Sequence, residues 1–353
     1  ANQNVRVISG SGVRAVDLGS DDVPVVTIDG DNRISCDFVF LALGLHPEAG
    51  LAKTCGLEIG PTGGIVVNRN MQTSDPDIYA GGDCAQTFQR LTGHPVCIAM
   101  GSLANRQGRV IAENLAGCDG EWPGVLGTTL VKVFDVSVGS TGLTSSEAAR
   151  AGIGARAVWG SFPDRPDYFP EMEMIVLKMV YAESDGRLLG LQAVGRGPVG
   201  RWVDLYSSFL QRDAKAGELL DLEHGYAPPY SEALDPLHQL AGMALAQMNG
   251  ISFTSPLSLE TVAREGSKLL LDVRETEESV EKPVSSFFSD VGAEVVNIPL
   301  EDLRSRLSEL DRTRPLLVVC QRGSRSYQAA VVLRAAGFEK VDILSAGLQS
   351  QAW

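Results

Sequence analysis

The sequence predicts an α/β and α+β multidomain protein. Three observations carry that expectation. The chain has 353 residues, long enough for two to three cores. Short β-branched runs alternate with stretches of helical period along most of it. A polar Gly- and Ser-containing stretch near residue 250 separates a final segment of about a hundred residues that alternates strand and helix.

The elements follow in order. Residues 1–45 read as β, with runs at Val5–Ile8, Val13–Leu18 and Val23–Ile28 broken by Gly10, Gly12, Gly19 and Gly30. Cys36–Leu45 is a continuous apolar run, as expected of a strand buried in a parallel sheet. Residues 46–126 contain glycine-rich turns and a helical pattern over 97–116, with Ile98, Leu103, Val110, Ile111 and Leu115 on one face. Gly117 is its expected stop. Residues 127–250 hold strands at Thr128–Phe134, Met174–Tyr181 and Leu188–Val194, and helices at Ser145–Ala151, Trp202–Gln211 and Pro236–Met248. Asn249-Gly250 and Ser252–Ser258 read as a linker. In residues 251–353, strands at Leu269–Val273, Glu294–Ile298 and Leu316–Val319 alternate with helices at 300–310 and 326–336.

Composition narrows the function classes. Lys+Arg is 30 against Asp+Glu 44, a net charge of −14 that disfavours binding to nucleic acid or to an anionic membrane face. No apolar run is long enough to span a bilayer. Six cysteines without a CxxC pair are neither a disulfide framework nor a zinc site, which points to a reducing, cytoplasmic compartment. Four histidines without ligand spacing predict no metal.

Two strings imitate the dinucleotide fingerprint. Gly10-Ser-Gly12-Val-Arg-Ala15 is followed by Asp29, but Gly19 and Pro24 leave no room for the helix whose N-terminus would face a pyrophosphate. A β-turn is the expectation. Gly195-Arg-Gly197-Pro-Val-Gly200 does precede a helix, yet no second parallel strand follows in ELLDLEHGYAPPYS.

The sharpest signal is Cys320-Gln-Arg-Gly-Ser-Arg-Ser326, between an apolar strand and a helical run. Backbone N–H groups and the helix dipole at such a turn favour an anion, and a thiolate is one. Arg322 and Arg325 add positive charge, and Gly323 permits the tight path. One residue fewer separates Cys320 from Arg325 than in the cysteine phosphatases, which suits a group smaller than phosphate, such as a terminal sulfur. A buried structural cysteine is the bland alternative.

With LLLDVRETEE from Leu269, NIPLEDL from Asn297, AAGF from Ala335 and AGLQSQAW at the end, residues 255–353 resemble a rhodanese domain. The resemblance implies that Cys320 carries a persulfide, that Arg325 and the loop amides stabilise it with Arg322 nearby, and that Asp272 and Arg274 buttress the loop.

A second signal is Thr73-Ser-Asp-Pro-Asp-Ile-Tyr-Ala80-Gly-Gly82-Asp83. Small residues admit a cofactor closely, and Asp83 can accept a hydrogen bond from a ribityl hydroxyl. Taken alone, Asp83 reads as a cap or turn residue. The full run resembles the second FAD-binding motif of the pyridine nucleotide-disulfide oxidoreductases. LALGLHPE from Leu41 resembles their crossover out of the NAD domain, and YAPPYSEALDPLHQLAGMAL from Tyr226 resembles coenzyme A disulfide reductases fused to a rhodanese.

That resemblance implies four parts: 1–45, the end of an NAD-binding domain; 46–126, the end of an FAD-binding domain with Ala80, Gly82 and Asp83 at the cofactor; 127–250, a dimerisation domain; 251–353, the rhodanese. It implies FAD, NADH or NADPH, coenzyme A as substrate or ligand, small-molecule sulfur substrates and a homodimer. Tyr168 (DYFP) and Tyr226 (YAPP) would reach the redox cysteine of the partner subunit. Cys84, Cys36, Cys55, Cys97 and Cys118 are expected to be structural, and His224 is expected to do no more than neighbour Tyr226. The FAD and NAD fingerprints and the redox cysteine belong before position 1. With no initiator Met, the chain is expected to be a fragment whose partner is the N-terminal portion of the same enzyme. The expected activity is flavin- and NADH-dependent reduction of CoA disulfide, CoA persulfide or polysulfide, coupled to sulfur transfer through Cys320. A stand-alone sulfurtransferase on a dimerising scaffold, an NADH oxidase and a non-catalytic binding module are the competing readings.

Overall fold

The computed structural model describes residues 4–19, 22–287 and 293–352. The chain divides into two compact units, Ala1–Glu48 and Ala49–Trp353.

In the first unit, β1 (Val13–Leu18), β2 (Pro24–Ile28) and β3 (Asn32–Ser35) form an antiparallel meander. The Gly12 N–H donates to the Asp29 carboxylate at 2.7 Å, so the first glycine string is a strand entry tied across a hairpin, with no helix behind it. Two expectations are corrected. Val5–Ile8 is not a strand, and Cys36–Leu45 forms neither a strand nor a core. Among the described residues no ladder continues beyond Ser35, and Phe38, Phe40, Leu41, Leu43 and Leu45 are exposed. An apolar run becomes a buried strand only where neighbours pair with both of its edges.

The second unit opens with α1 (Gly50–Thr54), then β4 (Ile65–Val66), β5 (Ala85–Phe88) and β6 (Pro95–Val96) in one small sheet, then α2 (Gly101–Leu115). Leu103, Gln107 and Val110 are the buried residues of α2; of the predicted stripe, Ile98 precedes the helix, Ile111 is half-buried and Leu115 is exposed.

A five-stranded antiparallel sheet follows: β7 (Thr129–Val133), β8 (Val136–Gly142), β9 (Ala155–Pro163), β10 (Met174–Ala182) and β11 (Leu188–Gly195), in the order β7-β8-β11-β10-β9. The helix α3 (Ser145–Arg150) starts on a capping box from Thr144 and Glu147. The helices α4 (Val199–Leu210) and α5 (Pro236–Met248) pack on the sheet. Their core joins Leu177, Met179 and Tyr181 of β10 to Trp202, Tyr206 and Leu240. Asp235, fully buried, caps α5 through the Leu237 N–H at 2.9 Å and accepts the Trp202 indole at 3.2 Å, which pins the two helices together. Around the second glycine string the sheet is antiparallel, so no βαβ unit exists there. A Cβ on Gly195 would lie 2.7 Å from the Met174 carbonyl oxygen, so the glycine serves strand approach.

The last part is a parallel sheet in the order β12-β16-β15-β13-β14, made of β12 (Ser252–Thr254), β13 (Leu269–Asp272), β14 (Val295–Asn297), β15 (Leu316–Val319) and β16 (Val341–Leu344). The helices α6 (Leu259–Glu265), α7 (Thr276–Glu281) and α8 (Ser324–Ala335) complete it. Every residue of β13 and β15 is buried, as continuous apolar runs in a parallel sheet require. Two further corrections arise. Ser252–Thr254, read as linker, pairs with β16 as an edge strand. Residues 300–310 form tight turns and a short 3-10 segment, Leu307–Glu309, instead of a helix. Leu303 alone is buried between 301 and 309, too little packing to offset helix nucleation.

Candidate functional site

The parallel register sets Asp272 beside Val319, so the carboxyl ends of β13 and β15 lie together. Ligands of open α/β sheets bind at such an edge. Cys320 follows Val319 and is fully buried. The Gly323 N–H donates to its Sγ at 3.0 Å. Gly323 takes φ +100° and is the N-cap of α8, so the sulfur lies at the positive end of a twelve-residue helix. The Ser326 hydroxyl is buried with no hydrogen-bond partner among the described residues.

The segment 347–349 closes over the loop. Leu348 N–H donates to the Cys320 carbonyl and Gln349 N–H to that of Gln321, each at 2.9 Å. Gly347, at φ +63°, makes this possible: a Cβ there would lie 2.6 Å from both carbonyl oxygens and 2.7 Å from Arg322 N. These are backbone atoms and cannot give way. Gly347→Ala is therefore expected to displace the cysteine loop and lower stability by about 1–3 kcal/mol. A thermal melt checks the stability, and the rate of Cys320 alkylation reports the loop.

Beneath the loop, Asp272 and Arg274 form a buried pair. Arg274 Nη2 donates to Asp272 Oδ2 at 2.7 Å and Nε to Oδ1 at 2.9 Å. Asn297 Nδ2 donates to the carbonyls of both residues, at 3.0 and 2.9 Å. The pair locks the turn that leads from β13 into α7.

Both loop arginines meet carboxylates. Arg325 donates bidentately to Glu278 of α7, at 2.5 and 2.9 Å, with Glu275 at 3.9 Å. This pair holds Glu278 below the usual carboxylate range, chiefly through Arg325. It raises Arg325, through Glu278 first and with Cys320 contributing. Arg322 reaches Asp167 at 3.6 Å. Glu232 is raised, first by burial and then by Asp167, while Arg322 opposes the shift. Sequence reading did not find Glu278, Asp167 or Glu232. Arg325 and Glu278 stand 47 positions apart, so no local pattern announces their pairing.

A cavity of about 490 Å³ adjoins the loop. Arg322, Gly323 and Tyr327 form one wall; Phe162, Met243 and Phe253 form an apolar one, and Glu232 lines it too. Tyr168, next to Asp167, is 71% exposed, and Tyr226 is 54% exposed. The His224 Nε2 donates to the Glu232 carbonyl at 3.1 Å, and its ring meets His238 edge-on at 5.3 Å, so His224 helps to fold the 222–238 segment.

The Asp83 group lies elsewhere, at the 3-10 turn Gly82–Cys84 that leads into β5. Ala80 is a core residue whose N–H donates to the Met71 carbonyl at 3.1 Å. Gly82, at φ +78°, donates to Gln107 Oε1 at 2.6 Å, a partner that sequence reading missed. Asp83 is exposed, and no described residue hydrogen-bonds its carboxylate. The nearby N-terminus of α2 has no side-chain cap. Small residues, a free carboxylate and an uncapped helix start together fit an anionic, hydroxyl-bearing cofactor such as FAD. Cys97 donates to the Asp83 carbonyl at 3.2 Å, and burial first, then Cys84 and Asp83, push its thiol up, away from the nucleophilic form.

Among the described residues no helix is long and apolar enough to cross a membrane, and no cluster of three or more His, Cys, Asp or Glu residues is placed to hold a metal.

Comparison with known proteins gives three family matches: pyridine nucleotide-disulphide oxidoreductase over 1–101, the dimerisation domain of that family over 128–238, and a rhodanese-like domain over 256–351. A curated relative, NAD(P)H sulfur oxidoreductase (CoA-dependent) of Pyrococcus abyssi, is 40% identical over 224 residues, covering 63% of this chain and 50% of the relative. A NAD-dependent persulfide reductase from A. fulgidus superposes with a TM-score of 0.88 at 36% identity, over 98% of this chain and 61% of that one. The Bacillus anthracis protein described as CoADR-RHD gives 0.87 at 32% identity, over 97% and 59%. The chain spans about half the length of the curated relatives it matches.

Proposed function

We infer, from a chain that joins pyridine nucleotide-disulphide oxidoreductase segments and their dimerisation domain to a rhodanese-like domain, that Cys320 carries sulfane sulfur within a flavin- and NAD(P)H-dependent reductase of CoA persulfide, CoA disulfide or polysulfide. The observation that carries this reading is the Cys320 sulfur: buried, at a helix N-terminus, and bonded by the Gly323 N–H.

The chemistry at the loop is a group transfer. A Cys320 thiolate attacks the outer sulfur of a donor R–S–SH. The donor S–S bond breaks, Cys320 becomes a persulfide, and R–S⁻ leaves with the electron pair and takes a proton from water. No net oxidation occurs. The Gly323 N–H and the α8 dipole stabilise negative charge on sulfur before and after transfer. Ser326 offers a further buried hydroxyl. Arg322 and Arg325 border the loop, each held by a carboxylate.

In the full-length enzyme FAD supplies two-electron transfer from NADH or NADPH when bound. Asp83, Gly82 and the α2 N-terminus are the residues that would hold it, with Ala80 behind them in the core. The redox cysteine and the nucleotide fingerprints are assigned to a portion of that enzyme outside this sequence. The enzyme works as a homodimer in the cytoplasm, a reading that rests on the dimerisation domain and the six unpaired thiols. Tyr168 and Tyr226, both exposed, are assigned to the partner subunit's redox centre. Phenylalanine at either position is expected to lower the CoA persulfide reduction rate roughly tenfold without changing stability, since a positioned phenol proton donor contributes at least that much. Steady-state kinetics beside a thermal melt checks this.

The reading as a whole is tested with the full-length protein. NADH oxidation that depends on added CoA persulfide supports it. NADH oxidation driven by oxygen alone would return the protein to the NADH oxidase reading. Sulfur transfer without bound flavin would leave a stand-alone sulfurtransferase.

A further inference from the structure

We propose that Glu278 is a specificity-determining residue, which neutralises Arg325 and so bars doubly charged sulfur donors from Cys320. The inference rests on Cys320 being the sulfur carrier and goes beyond that reading by assigning a role to a residue outside the loop.

Two observations support it. The first is the charge arrangement. A dianion such as thiosulfate needs unneutralised positive charge where it docks. The loop provides two guanidinium groups, and neither is free. Arg325 makes two parallel hydrogen bonds to Glu278 and has Glu275 at 3.9 Å. Arg322 faces Asp167 at 3.6 Å, with Glu232 in the same electrostatic group. Arg274, which also acts on Glu278, is consumed by Asp272. Four carboxylates thus surround two cations, and the approach to Cys320 is negative overall. The second is the adjoining cavity: Phe162, Met243 and Phe253 offer contact to an organic arm, and the one cation that lines it, Arg322, already faces Asp167.

Glu278 is fixed in this role by its own surroundings. Its Oε2 also accepts the Glu275 N–H at 3.1 Å, which ties it into the first turn of α7. That helix leaves the buried Asp272–Arg274 turn, so the carboxylate is anchored to the sheet edge.

With thiosulfate the transfer reads Cys320–S⁻ plus S–SO₃²⁻ giving Cys320–S–S⁻ plus sulfite, SO₃²⁻. The S–S bond of the donor breaks, and no electrons are gained or lost overall. The product on Cys320 is the same as with a persulfide donor, so the two donors differ in docking charge and leaving group only.

The experiment uses the full-length enzyme and follows sulfur loading of Cys320 with two donors, thiosulfate and N-acetylcysteamine persulfide, which has a neutral arm. Glu278→Gln is expected to raise the ratio of thiosulfate to persulfide kcat/KM by about tenfold, and Glu278→Asp by less than about twofold, because only the first removes the neutralising charge. Asp167→Asn, at the other arginine, is expected to move the ratio in the same direction and serves if Glu278→Gln does not fold. Glu309→Gln, in an exposed surface pair with Arg306, is expected to leave it unchanged. A ratio that does not move in folded Glu278→Gln overturns the proposal, and so does a parallel loss with both donors, which would make Glu278 structural. If wild-type Cys320 loads from neither donor, the sulfur-carrier reading falls, and this inference with it.

Discussion

Serine at position 320 is expected to abolish sulfur transfer while leaving the fold intact. The two side chains differ by one atom, and the site is fully buried, so the core loses little. Chemistry loses nearly everything. A hydroxyl at a helix N-terminus stays protonated at neutral pH, whereas a thiol there is an available nucleophile. Transfer from a persulfide donor should fall by about three orders of magnitude or more, the usual cost of deleting a covalent nucleophile. A thermal melt matching wild type establishes that the loss is chemical. A variant with half the wild-type rate would mean that another thiol carries the sulfur.

The largest expected loss of stability comes from Arg274→Met. Asp272 and Arg274 are both essentially inaccessible to water, and they satisfy each other through two strong contacts. Removing the cation leaves a buried carboxylate without its partner, at a cost of about 3–5 kcal/mol. Removing both charges, in Asp272→Leu with Arg274→Met, should restore much of that loss, because a buried ion pair contributes little net stability over apolar residues of similar volume. Urea unfolding of wild type, single and double variants makes the comparison. The single variant should also raise the ratio of thiosulfate to persulfide transfer, since the turn it unlocks positions α7 and with it Glu278.

Local chemistry explains what was legible in the sequence. Leu316–Val319 followed by Cys320 and Gly323 announces strand, turn and helix within a few residues, and the structure has all three. The α2 stripe of Leu103 and Val110 was legible for the same reason. Strands β8, β9 and β16 were among those missed. Ala155–Pro163 carries a Trp, a Gly and an Arg without clean alternation, and its strand form comes from pairing along its whole length with β10. Register of that kind is a long-range property. Cys36–Leu45 shows the converse, a strong local pattern with no partner among the described residues. At the site, Cys320 and Gly323 were legible because they lie within one short loop. The carboxylates that govern the two arginines were not, since Asp167, Glu232 and Glu278 arrive from three different elements.

Of six free thiols, Cys320 alone is proposed to carry the sulfur. The direct test treats the protein with a sulfane donor, blocks free thiols by alkylation, and maps the added mass by peptide mass spectrometry. A gain of one sulfur atom on the Cys320 peptide, absent from Cys84 and Cys97, is the predicted result. Sulfur on Cys84 or Cys97, or on none of the six, would contradict it.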